Sequence, residues 1–257
     1  MMNRSSNGHR MIWLEEVDST NSYMKRLLQE LDEEEGLLVV ADYQTGGRGQ
    51  MGSGWSSEKG QNLLFSLLIY PENVAANAQF IISRAASLAV KKTLDQFTDD
   101  IRIKWPNDIY WREKKICGML IENDLFGKRI QNSVIGIGLN VNQESFSPDL
   151  PNPVSLRQIT GSPYDRVRLI DFFTLEFFEL YRNLQRGKFS AIEEEYMLNL
   201  YRRNEYHWYE DKNGRFQAII EDVLPTGHLI MNTLEGEARS YAFKEIKYAN
   251  VPESKSI

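Results

Sequence analysis

Apolar residues in the first 142 positions alternate or cluster in a way that predicts a series of short strands. A continuous apolar run, such as residues 63–69, indicates a strand buried on both faces. Strict alternation in residues 101–104 instead places Arg102 and Lys104 together on the polar face of a strand. The predicted strands are residues 11–14, 37–43, 63–69, 101–104, 109–111, 115–123 and 134–142.

Helical spacing of apolar residues predicts four helices in the same chain. The first follows a short polar segment, and either Ser19 or Thr20 is expected to cap it. The others cover residues 77–96, 168–186 and 191–201. Residues 143–163, rich in Pro, Ser and Asn, are predicted to form a loop.

From residue 206 onward the pattern changes to short alternating strands separated by turns at residues 213–214, 225–227 and 235–236. This is typical of a small all-β module. We place the boundary near Arg203, which divides the chain into domains 1–203 and 204–257 of an α+β protein.

Composition narrows the function classes. The chain has 257 residues, of which 42% are hydrophobic, and its net charge of −6 argues against a general affinity for nucleic acid, so we expect no DNA-binding role. Cys117 is the single cysteine, residues 1–10 are expected to be a loose polar leader without a signal peptide, and no run is long enough to span a bilayer. We therefore expect a cytoplasmic protein.

A glycine-rich loop follows the strand at 37–43, with glycine at five of the nine positions from Gly46 to Gly54. Such a backbone approaches an anion closely, and Arg48 adds a cation, while Trp55 adds a flat apolar face. The alternative is a mobile hairpin tip. The G-x-G-x-x-G match within the loop is not a dinucleotide site, because a strand and not a helix follows it.

The second informative stretch is Lys104-Trp105-Pro106-Asn107-Asp108. Pro106 ends a strand here, so Lys104 lies beside a tight turn. A solvated edge charge is the ordinary alternative for such a lysine.

Two shorter features also leave two interpretations open. Glycine at 118, 136 and 138 gives space either to a neighbouring backbone or to a flat ligand. The segment Ser19-Thr20-Asn21 serves either as a helix cap or as a set of ligand contacts at a helix N-terminus.

Taken together and in this order, the three-residue segment at 19–21, the Gly-Arg-Gly loop ending in Trp55, the motif at 104–108, residues 115–122 and the Gly136-Ile137-Gly138-Leu139-Asn140 strand resemble biotin protein ligases. The resemblance implies a catalytic domain related to class II aminoacyl-tRNA synthetases, with a mixed sheet and helices, and a small SH3-like β-barrel at the C-terminus. It also implies that biotin and Mg·ATP form biotinyl-5′-AMP, from which biotin passes to a lysine of a biotin carboxyl carrier protein.

The same resemblance assigns roles to individual residues. Lys104 and Arg48 would be the catalytic cations, since the reaction brings two anions together. No residue is assigned to a protein-bound metal, and a homodimer is left open. Residues expected to contact biotin or the adenylate are Ser19, Thr20, Asn21, Gln44, Gly47, Gly49, Gln50, Trp55, Asn107, Gly118, Gly138 and Asn140.

Two departures from the family pattern matter. Only about ten residues precede the first predicted strand, so the repressor function of members with an N-terminal winged helix is not carried over. Gln50 stands where a second arginine often follows Gly-Arg-Gly, which leaves open how the loop holds the adenylate.

Two other functions fit parts of the same pattern. A lipoate or octanoyl ligase or transferase has the same fold but is disfavoured by the motif at 104–108, the Gly-Arg-Gly loop and the β module. A non-catalytic binding module is disfavoured because Lys104 and Arg48 are both present.

Overall fold

Thirteen strands and five α-helices form the part of the chain, residues 2–249, that the computed structural model describes. The strands are β1 Met2–Arg4, β2 Arg10–Leu14, β3 Leu38–Ala41, β4 Leu63–Ile69, β5 Ile101–Lys104, β6 Asp108–Trp111, β7 Lys114–Phe126, β8 Arg129–Leu139, β9 His207–Asp211, β10 Gly214–Val223, β11 Leu229–Thr233, β12 Ala238–Tyr241 and β13 Lys247–Tyr248. The helices are α1 Thr20–Glu30, α2 Phe80–Leu94, α3 Leu156–Thr160, α4 Arg166–Gln185 and α5 Ser190–Leu198.

The first eight strands form one sheet in the order β1-β2-β3-β4-β8-β7-β6-β5. β2 and β3 are parallel, and every other neighbouring pair in this sheet is antiparallel. The mixed sheet with helices confirms the predicted fold class. Its register puts Gly138 between Leu64 and Gly118, and Gly136 between Ser66 and Leu120.

Helices cover both faces of this sheet. α1 buries Met24 against Val39, Leu68 and Val134 on one face. α2, α4 and α5 pack in the larger core on the other face, where β3 and β4 contribute Val40 and other alternate residues. Because successive strand residues point to opposite faces, the glycines at 136 and 138 share the α1 face.

The last five strands form an antiparallel sheet in the order β12-β11-β10-β9-β13, which confirms the predicted β module. Its buried residues belong to the same hydrophobic cluster as those of the first domain. Trp105 Nε1 also donates a hydrogen bond to Gly227 O at 2.9 Å, and Arg84 donates to Val223 O. The module is thus packed on the first domain, while the boundary near residue 203 remains a prediction.

Two local predictions are wrong. Residues 2–4, expected to be loose, pair with β2. The predicted loop at 143–163 contains α3, which begins with a capping box in which Ser155 and Gln158 bond each other's backbone N–H groups. The Ser-x-x-Gln spacing carried this signal in the sequence.

Candidate active site

The glycine loop, the ends of β5 to β7 and the C-terminal module enclose a cleft of about 410 Å³. Residues of the three groups are far apart in the chain and meet only through the fold. Seven of the residues singled out from the sequence line this cleft: Arg48, Gly49, Gln50, Trp55, Lys104, Asn107 and Gly118.

Lys104 is the best enclosed cation of the cleft. Its Nζ donates to Tyr110 Oη at 2.9 Å and lies 4.4 Å from the centre of the Tyr110 ring and 4.7 Å from that of Tyr248. Burial lowers the pKa of Lys104 to about 8, although the charge of Asp108 acts in the opposite direction. A lysine so placed is not the solvated edge charge that the sequence left open.

A second lysine, Lys115, stands on the same wall. Its Nζ lies 2.7 Å from Asp108 Oδ1 and 5.6 Å from the centre of the Trp55 ring. Asp108 is also the cross-strand partner of Lys104. The Asp108 carboxylate thus pairs with Lys115, and its charge also favours the charged form of Lys104.

Trp55 lies flat against the glycine-bearing strands. A Cβ added to Gly138 would stand 2.5 Å from Trp55 Cε2, and one added to Gly118 would stand 2.9 Å from Trp55 Cζ3. Both distances are shorter than carbon atoms tolerate, so both positions require glycine in this arrangement. Trp55 Nε1 is buried without a hydrogen-bond partner among residues 2–249.

Beyond Trp55, a buried polar network surrounds the start of α1. Gln44 Oε1 accepts hydrogen bonds from Thr20 N at 2.7 Å and Thr20 Oγ1 at 3.1 Å. Ser66 Oγ lies 2.8 Å from Thr20 Oγ1 and donates to Asn21 Oδ1 at 2.6 Å. Ser19 occupies the N-cap position, yet its side chain makes no capping bond. Gln44, and not Ser19, therefore accepts from the first N–H group of the helix, while Ser66 links the segment to the sheet.

Glu122 connects this network to the glycine loop. Its carboxylate accepts from Asn21 Nδ2 at 2.8 Å, Lys25 Nζ at 3.0 Å and Arg48 Nη2 at 3.2 Å. Burial alone would raise the pKa of Glu122, but the hydrogen bonds from Asn21 and Lys25 and the nearby positive charges outweigh it, and the net shift is downward. Arg48, predicted as a catalytic cation, is therefore neutralised by an ion pair here.

The glycine loop folds back on itself as a narrow hairpin. Trp55 N donates to Gly47 O at 2.9 Å, and Gly49 N donates to Ser53 O at 2.6 Å. A Cβ on Gly47 would stand 2.3 Å from Trp55 O, so glycine is required there. Only a single 3₁₀ turn, Gln50–Gly52, lies within the loop, which agrees with the rejection of a dinucleotide fingerprint.

Two asparagines singled out from the sequence bond the backbone. Asn107 Nδ2 donates to Met119 O at 2.6 Å, which fixes the turn after Lys104. Asn140 Nδ2 donates to Val154 O at 3.1 Å. Asn140 also lines a second cavity of about 220 Å³ on the other side of Trp55.

The site also contains five residues that the sequence did not single out. Ser66 interrupts an otherwise apolar strand, which is a signal that could have found it. Lys115 and Glu122 lie within the 115–122 stretch but were given no role. Tyr110 reaches Lys104 through the β5–β6 hairpin, whose strands and turn were predicted, whereas Tyr248 carries no local signal because only the fold brings it to Lys104.

Comparisons with known proteins point in one direction. A family model described as the biotin/lipoate A/B protein ligase family matches residues 13–140. The chain is 32% identical over 241 residues to the bifunctional ligase/repressor BirA of Bacillus spizizenii, covering 91% of this chain and 73% of that protein. It is 28% identical over 226 residues to the biotin–[acetyl-CoA-carboxylase] ligase of Paracoccus denitrificans, covering 85% and 92%.

A solved structure gives the same result. The biotin protein ligase of Aquifex aeolicus in complex with biotin and ATP superimposes with a TM-score of 0.77 at 28% identity, covering 94% of this chain and 99% of that one. The similarity thus extends through both sheets and does not stop at the catalytic domain.

Proposed function

We propose a mechanism from the premise that the chain belongs to the biotin protein ligase family and is itself a biotin protein ligase. The observation that carries the mechanism is that Lys104 and Lys115 both line the cleft, close enough for the charge of Lys115 to lower the pKa of Lys104. Two cations on one wall suit a reaction in which two anions must meet.

In the first step, an oxygen of the biotin carboxylate attacks the α-phosphorus of ATP, and pyrophosphate leaves. Lys104 and Lys115 would reduce the repulsion between the carboxylate and the phosphates and stabilise the crowded transition state. Arg48 would add a third cation once its bond to Glu122 is exchanged for a phosphate oxygen. Mg²⁺ would enter as part of the Mg·ATP substrate; among residues 2–249, no group of three or more His, Cys, Asp or Glu side chains is arranged to hold a metal ion.

Biotin would lie along the α1 face of the sheet. Its ureido ring needs donors and acceptors, which Thr20, Asn21 and Gln44 offer around Ser66. Its aliphatic chain would run beside Trp55, whose ring covers Gly118 and Gly138, toward the lysines. This arrangement assigns polar contacts to one end of biotin and charge to the other, as recognition in a narrow cleft requires.

In the second step, the amine of a carrier-protein lysine attacks the acyl carbonyl of the adenylate, and AMP leaves. The acceptor would be a biotin carboxyl carrier protein, and the name of the Paracoccus relative includes acetyl-CoA carboxylase. We place the reaction in the cytoplasm, where a free cysteine such as Cys117 stays reduced. No helix among the described residues has the length and apolar character needed to cross a membrane. The absence of DNA binding remains a prediction, and the oligomeric state stays open.

The decisive experiment measures biotin-dependent exchange of labelled pyrophosphate into ATP, followed by transfer to a carrier domain. We expect exchange with biotin and none with lipoate or octanoate. Exchange driven by lipoate would favour the lipoate ligase alternative, and ligand binding without exchange would favour a non-catalytic module.

A further inference from the structure

Lys104 is enclosed by two aromatic rings from different parts of the chain. Tyr110 belongs to the neighbouring strand β6, whereas Tyr248 belongs to β13 of the C-terminal module. The Nζ atom lies at nearly equal distances, 4.4 and 4.7 Å, from the two ring centres. The distance to Tyr248 is within the range in which a ring face attracts a cation, whereas Lys104 meets Tyr110 at its hydroxyl.

The segment that joins the two domains holds Tyr248 in place. Tyr201 stacks on Tyr248 with ring centres 5.9 Å apart, and Arg202 Nη1 donates to Ala249 O at 2.7 Å. The same segment is bonded to β5, since Tyr201 N donates to Ile103 O at 2.8 Å. The strand that carries Lys104 and the strand that carries Tyr248 therefore share one support.

The part of Tyr248 that contacts Lys104 is its ring and not its hydroxyl. Its Oη atom is buried and has no hydrogen-bond partner among residues 2–249. An unpaired buried hydroxyl lowers stability, so it does not explain a tyrosine here. Tyr110 differs, because its hydroxyl accepts the hydrogen bond from Lys104.

We propose that Tyr248 is a positioning residue for Lys104, through which the C-terminal module completes the adenylation site. The inference rests on the proposed role of Lys104. The ring face of Tyr248 restricts the ammonium group and keeps water from it, while the Tyr110 hydroxyl takes one of its three N–H donors. Lys104 lines the cleft in which the phosphate would lie, so its other donors are left for that phosphate.

Other charged groups also face Lys104, and they set its response to pH. Asp108 and Glu113 favour the charged lysine, whereas Lys115 and Arg202 oppose it, and burial opposes it most. Exposing the Lys104 ammonium group to water would thus raise its pKa. Weakening the Tyr248 ring face without admitting water would lower the pKa of Lys104, because only the attraction to the cation is lost.

The test measures pyrophosphate exchange in three variants of Tyr248, in which phenylalanine, leucine or pentafluorophenylalanine replaces the tyrosine. Tyr248→Phe should keep activity and the pH profile within about two-fold, since it keeps the ring. Tyr248→Leu should lower kcat about 10-fold with an unchanged KM for biotin. The pH at which its activity falls should be higher than in the wild type. Tyr206→Leu, at an exposed tyrosine of the same module, is the matched control and should have no effect.

Pentafluorophenylalanine at position 248 covers the case in which the leucine variant does not fold, because it keeps the shape and inverts the charge of the ring face. It should lower kcat and move the loss of activity to lower pH, whereas Tyr248→Leu moves it to higher pH. A purely structural role of Tyr248 would not give opposite pH shifts in the two variants. If wild type exchanges and Lys104→Ala does not, yet the fluorinated and leucine variants match wild type, the inference alone is overturned. Wild type without biotin-dependent exchange would instead reject the proposed function, and the inference with it.

Discussion

Asn21 occupies the space that a side chain on Gly136 would need. An ideal Cβ at Gly136 would stand 2.3 Å from Asn21 Oδ1 and 2.9 Å from its Cγ. The backbone of Gly136 does not have a positive φ angle, so this contact, and not conformational freedom, explains the glycine. The carboxamide of Asn21 is fixed in turn by Ser66, Leu120 O and Glu122.

Gly136→Ala should therefore weaken biotin binding without changing the chemistry. The added methyl group displaces Asn21, and the loss of one or two hydrogen bonds of about 1 kcal/mol each should raise the KM for biotin on the order of 10-fold. The KM for ATP should change little. In an Asn21→Ala background the clash disappears, so Gly136→Ala should add almost nothing. Additive effects in this double-mutant cycle would contradict the contact as the cause.

Lys104→Ala should abolish adenylate formation while the fold is retained. Removing one positioned charge at a reacting centre costs on the order of 100-fold or more in rate. Lys59→Ala is the matched control, because Lys59 is an exposed lysine paired with Glu15 outside the cleft. Pyrophosphate exchange within a few-fold of wild type in Lys104→Ala would reject the assignment.

The pH dependence of the first step should report Lys104. Its pKa is lowered to about 8, chiefly by burial, and the charged form is the one that stabilises the phosphates. Activity should thus be full below this pKa and fall as the pH rises through about 8. The measurement is kcat/KM for ATP against pH, which reflects groups of the free enzyme. Lys104→Arg, whose side chain stays charged, should retain its remaining activity above pH 8; an unchanged fall would mean that another group titrates.

Local patterns were sufficient for most of the fold. The run at Leu63–Ile69 and the alternation at Ile101–Lys104 match the observed strands residue for residue, because hydrophobic periodicity depends on nearest neighbours. The short helix α3 was missed because its five residues are too few to show a helical period.

The site was less accessible to sequence reasoning for a physical reason. Residues within motifs, such as Lys104 and Trp55, were found because their neighbours mark a turn or a loop. Tyr248 lies 144 positions after Lys104 and reaches it only through the packing of the two sheets. The pairing of Arg48 with Glu122 depends equally on tertiary structure, so the sequence predicted the cation but not the partner that holds it.

Limited proteolysis should detect opening of the glycine loop. Arg48 is about half exposed and is held by Glu122, and the loop is otherwise bonded mostly to itself. Trypsin should cut after Arg48 in the free protein, and biotin with ATP should slow the cut as the loop closes over the adenylate.

Glu122→Gln should accelerate this cut in the free protein, since it removes the charge that holds Arg48. Cleavage after Arg112, an exposed arginine in the turn between β6 and β7, serves as the internal reference and should not respond to ligand. Equal cleavage after Arg48 with and without ligand would reject the role of the loop as a lid.

Gln50 tests how the adenylate is held. It lines the cleft, and an arginine in its place would add a charge-assisted contact to the phosphate worth about 1.5–3 kcal/mol when well formed. Without compensation, the wild-type protein should release its adenylate on the order of 10-fold faster than an arginine variant. Escaped biotinyl-adenylate would then label lysines of bystander proteins.

We expect other groups to compensate for the absence of an arginine at position 50. The backbone of Gly49 is not one of them, because its N–H already donates to Ser53 O at 2.6 Å. Lys104 and Lys115 line the same cleft as Gln50 and supply two cations to the phosphate without an arginine in the loop. Gln50→Arg should therefore change the adenylate dissociation rate by no more than a few-fold, as measured by chasing labelled adenylate from the protein. Gln29→Arg adds the same charge on the exposed side of α1 and controls for net charge. Slowing by 10-fold or more in Gln50→Arg alone would show that the loop, and not the lysine pair, limits how long the intermediate is retained.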